Sequence, residues 1–84
     1  MTEEQELKEK LEHLEHLRYL GEKAYGDMYE MHTFRDASVC FRDAREFFHD
    51  AVRLADELEL AEDANYLRNR IEHIKWIFRR QFGE

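Results

Sequence analysis

No proline interrupts the chain anywhere along its 84 residues. Proline breaks helix interiors and punctuates loops, so a chain without any is free to be helical almost throughout. Strand signals are missing too, because nowhere do β-branched residues alternate with polar ones over a run long enough to form a strand. The length holds a single domain, residues 1–84. With 43% hydrophobic and 13% aromatic residues, it carries more core-formers than a disordered acidic tail. The chain reads as an all-α three-helix bundle, with helices at approximately 2–31, 34–59 and 62–82.

The first helix opens on Thr2-Glu3-Glu4-Gln5, the pattern of a capping box, with Glu3, Glu4 and Glu6 on the positive end of the helix dipole. Leu7, Leu11, Leu14, Leu17, Leu20, Ala24, Met28 and Met31 then step by three or four and form one apolar stripe. The three-residue steps make that stripe drift, which predicts a helix crossing its partners at an angle. Gly21 and Gly26 each weaken a helix by about 1 kcal/mol relative to alanine, and one of them is a candidate bend. A break is expected at His32-Thr33, with Thr33 capping the second helix and Asp36 at its third position.

The second helix contains a repeat of period seven: Phe34-Arg35-Asp36-Ala37, Phe41-Arg42-Asp43-Ala44 and Phe48-His49-Asp50-Ala51. Phenylalanine takes one seam position and alanine the next, while Cys40, Phe47 and Leu54 widen the stripe. Large residues beside small ones let neighbouring helices approach closely at each alanine. This pattern resembles the second helix of a tetratricopeptide repeat. There an aromatic is followed by alanine three residues on, a second aromatic four further, and alanine again. Phe34, Ala37, Phe41 and Ala44 fit it, as do Phe41, Ala44, Phe48 and Ala51, followed by Leu54-Ala55. The first-helix positions of that family fall here on Ala24, Tyr25 and Met28, in place of leucine, glycine and tyrosine. The resemblance therefore implies the helix packing of such a hairpin and no binding residue.

Between Leu58 and Ala64 no glycine or proline marks a boundary, and one unbroken helix from Phe34 to Phe82 is the alternative to two. A turn at Glu59–Glu62 is favoured, since Asp56, Glu57 and Glu59 oppose the dipole at a helix end whereas Glu62 and Asp63 suit a helix start. A single helix would run about 70 Å and leave its apolar face uncovered. The third helix carries Ala64, Leu67, Ile71, Ile74, Ile77 or Phe78, and Phe82 inward, then Arg79 and Arg80, with Gly83 as its stop.

Charge is uneven: residues 1–30 sum to −5, residues 31–60 to −3 and residues 61–84 to +1. An acidic first helix beside a mildly basic third one orients their packing. The net charge of −7 argues against nucleic acid and against anionic membranes, and no apolar run is long enough to span a bilayer. A single cysteine forms no intramolecular disulfide, which points to a reducing, cytoplasmic setting.

Chemistry-bearing constellations are few. His13 and His16 sit one turn apart among glutamates, with His13 at the border of the stripe, and are the metal candidates. Two exposed histidines in such a run are ordinarily a solvated face. Glu46 and His49 have the spacing of di-iron carboxylate bundles but lie outside the phenylalanine seam and have no second copy of the motif. Cys40 falls in the apolar stripe and reads as a small core residue. With no phosphate loop and no cysteine pair, no enzymatic activity and no cofactor is expected. The basic cluster Arg68, Arg70, Lys75, Arg79 and Arg80, interleaved with Tyr66 and Trp76, is the one hint of nucleic acid. The same residue types mark protein interfaces, where tryptophan, tyrosine and arginine are enriched. Tyr66, Arg70, Trp76, Ile77 and Arg80 are accordingly the interface candidates, joined by the phenylalanine seam. The resulting expectation is a small acidic, non-enzymatic protein-interaction or scaffold module. Its partner is another protein or, by preference, a second copy in a homodimer; a metal-binding helical protein using surface histidines is the alternative.

Overall fold

A computed structural model describes residues 2–82. Three helices follow in order: α1 (Glu3–Glu30), α2 (Phe34–Glu57) and α3 (Ala61–Phe82), running up, down and up with no strand among the described residues. Helix α2 is central. Both α1 and α3 pack along it, and they approach each other far less closely. Gly83 lies outside the described residues, and its role as a stop with it.

The two threonine caps form as the sequence dictates. Thr2 Oγ1 accepts from the Gln5 N–H at 3.2 Å and Thr33 Oγ1 from the Asp36 N–H at 3.2 Å. The turn between α2 and α3 comes slightly earlier than its acidic residues predict, with α2 ending at Glu57 instead of 59. Glu59 takes φ 60°, the left-handed region that ends helices. The Glu59 N–H donates to the Asp56 carbonyl at 3.1 Å and the Leu60 N–H to the Ala55 carbonyl at 2.8 Å, the paired bonds of a Schellman motif. No glycine advertises this stop, so backbone geometry makes it with a glutamate.

Along α1 the helix is unbroken through both glycines. Gly21 is instead a point of close approach: it is buried, and an added Cβ would lie 2.8 Å from the Phe48 ring. The alanines of α2 have the same function from the other side. Ala37, Ala44, Ala51 and Ala55 are fully buried, and Leu14, Leu17, Met28, Leu67, Ile71 and Ile74 close the core around Phe48. The seam itself is not uniformly inside. Phe48 is fully buried and Phe41 partly so, but Phe34 at the mouth of the bundle is 59% exposed. Leu7 and Leu11 also leave the stripe for solvent. The leucines lie where α1 runs past the end of α2, whereas Phe34 opens α2 against Phe78 and Phe82 at the end of α3; the molecule measures 49 × 20 × 12 Å.

Candidate interaction surface

Because α1 and α3 both commit their apolar stripes to α2, a shallow furrow remains between them, and it is bridged by polar and aromatic side chains. Arg70 reaches across from α3 and grips Glu22 of α1 with two hydrogen bonds, Nε to Oε2 at 2.9 Å and Nη2 to Oε1 at 2.6 Å. Its guanidinium also lies 5.1 Å from the Tyr25 ring centroid. The bond to Glu22 raises the Arg70 pKa above its ordinary value, against the opposing pull of burial. This arginine is therefore committed inside the chain, where it joins the acidic and basic helices as the charge asymmetry leads one to expect.

Two further arginine–aromatic pairs accompany it, one across the furrow and one within α3. Arg18 of α1 stands over Tyr66 of α3 at 5.4 Å, and Arg80 stands over Trp76 at 4.8 Å. Between them, Tyr25 and His73 meet edge to face with centroids 6.0 Å apart, and the Tyr25 hydroxyl is 3.5 Å from His73 Nε2. Near the carboxyl end of α3, the Gln81 side-chain amide donates to the Tyr29 carbonyl at 3.1 Å and closes the end of α1. Tyr29, Ile77, Arg80 and Gln81 line a depression there, while Glu15, Arg18, Tyr19, Glu22, Tyr66 and Arg70 line another at the opposite end.

Four of the five interface candidates, Tyr66, Arg70, Ile77 and Arg80, fall on the side of α3 toward α1, over about 21 Å of helix, and Trp76 lies further round on the exposed face beside Arg80. Trp76 is 52% exposed and Tyr66 48%, whereas Ile77 is half-buried and Arg70 is spent on Glu22. The α1 half of the surface is supplied by tyrosines. Tyr19 and Tyr29, 61% and 64% exposed, complete the row. Their signal was present in the spacing of Tyr19, Tyr25 and Tyr29, but only the packing shows which neighbour that spacing faces. The phenylalanine seam contributes little to this surface, since Phe48 is buried and Phe41 stacks on Phe78 at 4.5 Å on the far side.

The basic cluster of α3 is divided between faces. Arg70 and Arg80 look toward α1, whereas Arg68 pairs with Asp56 of α2 at 2.7 Å and Lys75 and Arg79 border the α2–α3 groove. No continuous basic stripe results. His13 and His16 are both exposed. Among the described residues no group of three or more histidine, cysteine or acidic side chains is placed to hold a metal ion. Glu46 and His49 are exposed beside Arg45 and Arg53, cationic company that disfavours a metal. Cys40 is partly buried; burial first, and then the carboxylates of Asp27, Asp43 and Asp36, push its thiol pKa up and keep it protonated near neutral pH. No helix of the described residues is long and apolar enough to cross a membrane. Comparison with protein-family models, with curated proteins and with solved structures finds no match to this chain, leaving the chemistry of this surface as the guide to function.

Proposed function

We propose that the protein is a non-enzymatic interaction module of a reducing, cytoplasmic compartment, and that it pairs with a second copy through the α1–α3 face. The observation that carries this is the row of exposed aromatics with arginines laid over them. Arg18 on Tyr66 and Arg80 on Trp76 present flat, half-exposed surfaces of the residue types that dominate binding energy at protein interfaces. The charge on this face supports a protein partner. Glu15 and Glu22 stand against Arg18, Arg70 and Arg80, so the face is close to neutral on a chain of net charge −7.

Surface area points the same way. The chain exposes 6140 Å², where a compact monomer of this mass exposes about 5,400 Å². Its radius of gyration is 14.4 Å, against about 12 Å for a compact domain of this length. Three helices with a central α2 hide too little of their own surface, and pairing across the α1–α3 furrow covers more. The likeness of α2 to a tetratricopeptide helix supports only the packing of the hairpin. Sedimentation equilibrium of the wild type and of the variant carrying Tyr66→Ala and Trp76→Ala tests the reading. At high salt, a wild-type dimer that the variant loses while keeping its helicity supports it; identical behaviour of the two refutes it.

A further inference from the structure

Two features lie outside the α1–α3 face. Every residue from Glu3 to His13 is exposed, and Leu7 and Leu11, one turn apart on the same side, are 49% and 40% exposed. The Lys10–Glu57 ion pair, at 3.0 Å, marks the level at which α2 ends, so about two turns of α1 project beyond the bundle. The second feature is the α2–α3 groove. Its floor is the Phe41–Phe78 stack, and Arg45, Lys75 and Arg79 rim a depression of about 400 Å³. Through Arg45 and Lys75 it continues into a second depression of about 500 Å³ beside Glu46, Asp50 and Arg53.

These features complement each other. The projecting segment carries five glutamates against two lysines. The groove sets Arg45 and Arg79 beside Glu46, while Arg53 is paired with Asp50 and Lys75 with Glu72. From Phe41 to Arg53 the groove runs about 18 Å, and Glu3 to His13 about 15 Å, at 1.5 Å per residue. Within one chain they cannot meet, because the segment extends past the carboxyl end of α2 while the phenylalanine stack lies toward the amino end of α2.

We propose that the acidic amino-terminal segment of α1 docks in the α2–α3 groove of a second copy, with Leu7 and Leu11 on the Phe41–Phe78 stack and glutamates on Arg45 and Arg79. A second copy fits this groove better than a nucleic acid or an anionic membrane. Glu46 repels a uniform polyanion but offers a partner to Lys8, and the leucines match the aromatic floor. The contact is heterologous, so it adds copies in a row and does not close a symmetric pair. One helix face in one groove places it at the weak end of specific interfaces, below about 1,200 Å² of buried surface. It uses none of the residues of the α1–α3 face and fails or stands separately from it.

The test is analytical ultracentrifugation in the Tyr66→Ala, Trp76→Ala background, which removes the other contact. Association that weakens about tenfold between low and high salt is expected, since charge pairing between exposed groups is screened. Leu7→Gln with Leu11→Gln removes the docking segment, and Arg45→Glu with Arg79→Glu closes the groove; each variant alone is expected to be monomeric with unchanged helicity. Mixed in equal amounts, the intact segment of one fits the intact groove of the other and gives a heterodimer that grows no further. The proposal is overturned by a background chain that stays monomeric at low salt, including one whose groove takes up single-stranded DNA or anionic vesicles instead. It is equally overturned by a mixture that fails to form the heterodimer.

Discussion

Alanine at the two helical glycines should have opposite effects. In an exposed helix interior, glycine to alanine stabilises by about 1 kcal/mol through backbone entropy. Gly26 is the clean case: it is helical, exposed, and nothing lies within 4 Å of an added Cβ. Gly26→Ala is therefore expected to stabilise by about 1 kcal/mol, or about 4–8 °C in Tm for a domain of this size. Gly21 receives the same entropic gain but meets the Phe48 ring at 2.8, 2.9 and 2.9 Å. Carbon atoms rest at about 3.5–4.0 Å, so the ring must retreat by roughly 0.7–1 Å. Phe48 is fully buried beside alanines that are themselves fully buried, and it has nowhere to go. Overpacking of this kind costs about 1–3 kcal/mol. The balance for Gly21→Ala is a loss of up to about 2 kcal/mol, and the gap between the two variants is about 1–3 kcal/mol. Urea unfolding followed by circular dichroism reads both. A Gly21→Ala variant as stable as Gly26→Ala would show that α1 does not approach Phe48 as closely as the packing requires. The loss at Gly21 should shrink when Phe48→Leu is introduced first, because the clash and the ring belong to one coupled site.

Glu59→Gly relieves a left-handed residue at the Schellman turn and should raise stability by about 0.5–1 kcal/mol, while Glu59→Val should lower it, again by denaturant titration. Arg70→Met should cost about 1–2 kcal/mol through the lost double hydrogen bond to Glu22. Arg70→Lys should not restore it, because an ammonium cannot make the planar two-point contact or lie over Tyr25. A double-mutant cycle with Glu22→Gln that returns no coupling would remove this bridge from the fold. Cys40 should alkylate more slowly than a free thiol at mildly alkaline pH and faster once Asp27→Asn removes one of the charges that raise its pKa. Because the folded state favours the neutral thiol, its contribution to stability is present below the ordinary thiol pKa and fades as pH rises through the raised one. Thermal melts across that alkaline window should follow the difference between wild type and Cys40→Ala.

Much of this architecture was legible because helices announce themselves locally. Thr2 and Thr33 cap as their neighbours dictate, and the alanine line of α2 is buried at Ala37, Ala44 and Ala51 without exception. What was not legible depends on where one element ends relative to another. A seven-residue repeat drifts by about 20° per heptad on a straight helix. Phe34, Phe41 and Phe48 form such a series, and they run from exposed through half-buried to fully buried toward the middle of the bundle. The turn at Glu59 was marked only by the acidic residues around it, and its bounds came out two residues off because the left-handed residue is a glutamate and no glycine fixes the stop. Of the candidate site, the α3 residues were recognisable by type, but the assignment of Arg70 to an internal bridge required knowing that Glu22 lies opposite.

The position of the proposed interaction surface follows from the placement of α2. A helix stripe wide enough to bury Ala37, Ala44, Phe48, Ala51 and Ala55 takes up both neighbours, one on each side. Helices α1 and α3 then have few apolar residues left to seal their mutual furrow, which is lined mostly by tyrosines and arginines, with Ile77 at one end. Such side chains are amphipathic: they cover the furrow with ring and guanidinium planes and keep polar edges in water. A furrow closed by leucines would bind nothing that distinguishes one partner from another, and one closed by lysine–glutamate pairs would bind nothing at all. Tyr66, Trp76 and Tyr29 keep a surface that is stable when free and still able to gain by being covered. Filling the furrow with ordinary core residues, as in Tyr25→Leu with Arg70→Leu and Glu22→Leu, should therefore tighten the monomer and abolish its selectivity for a partner together.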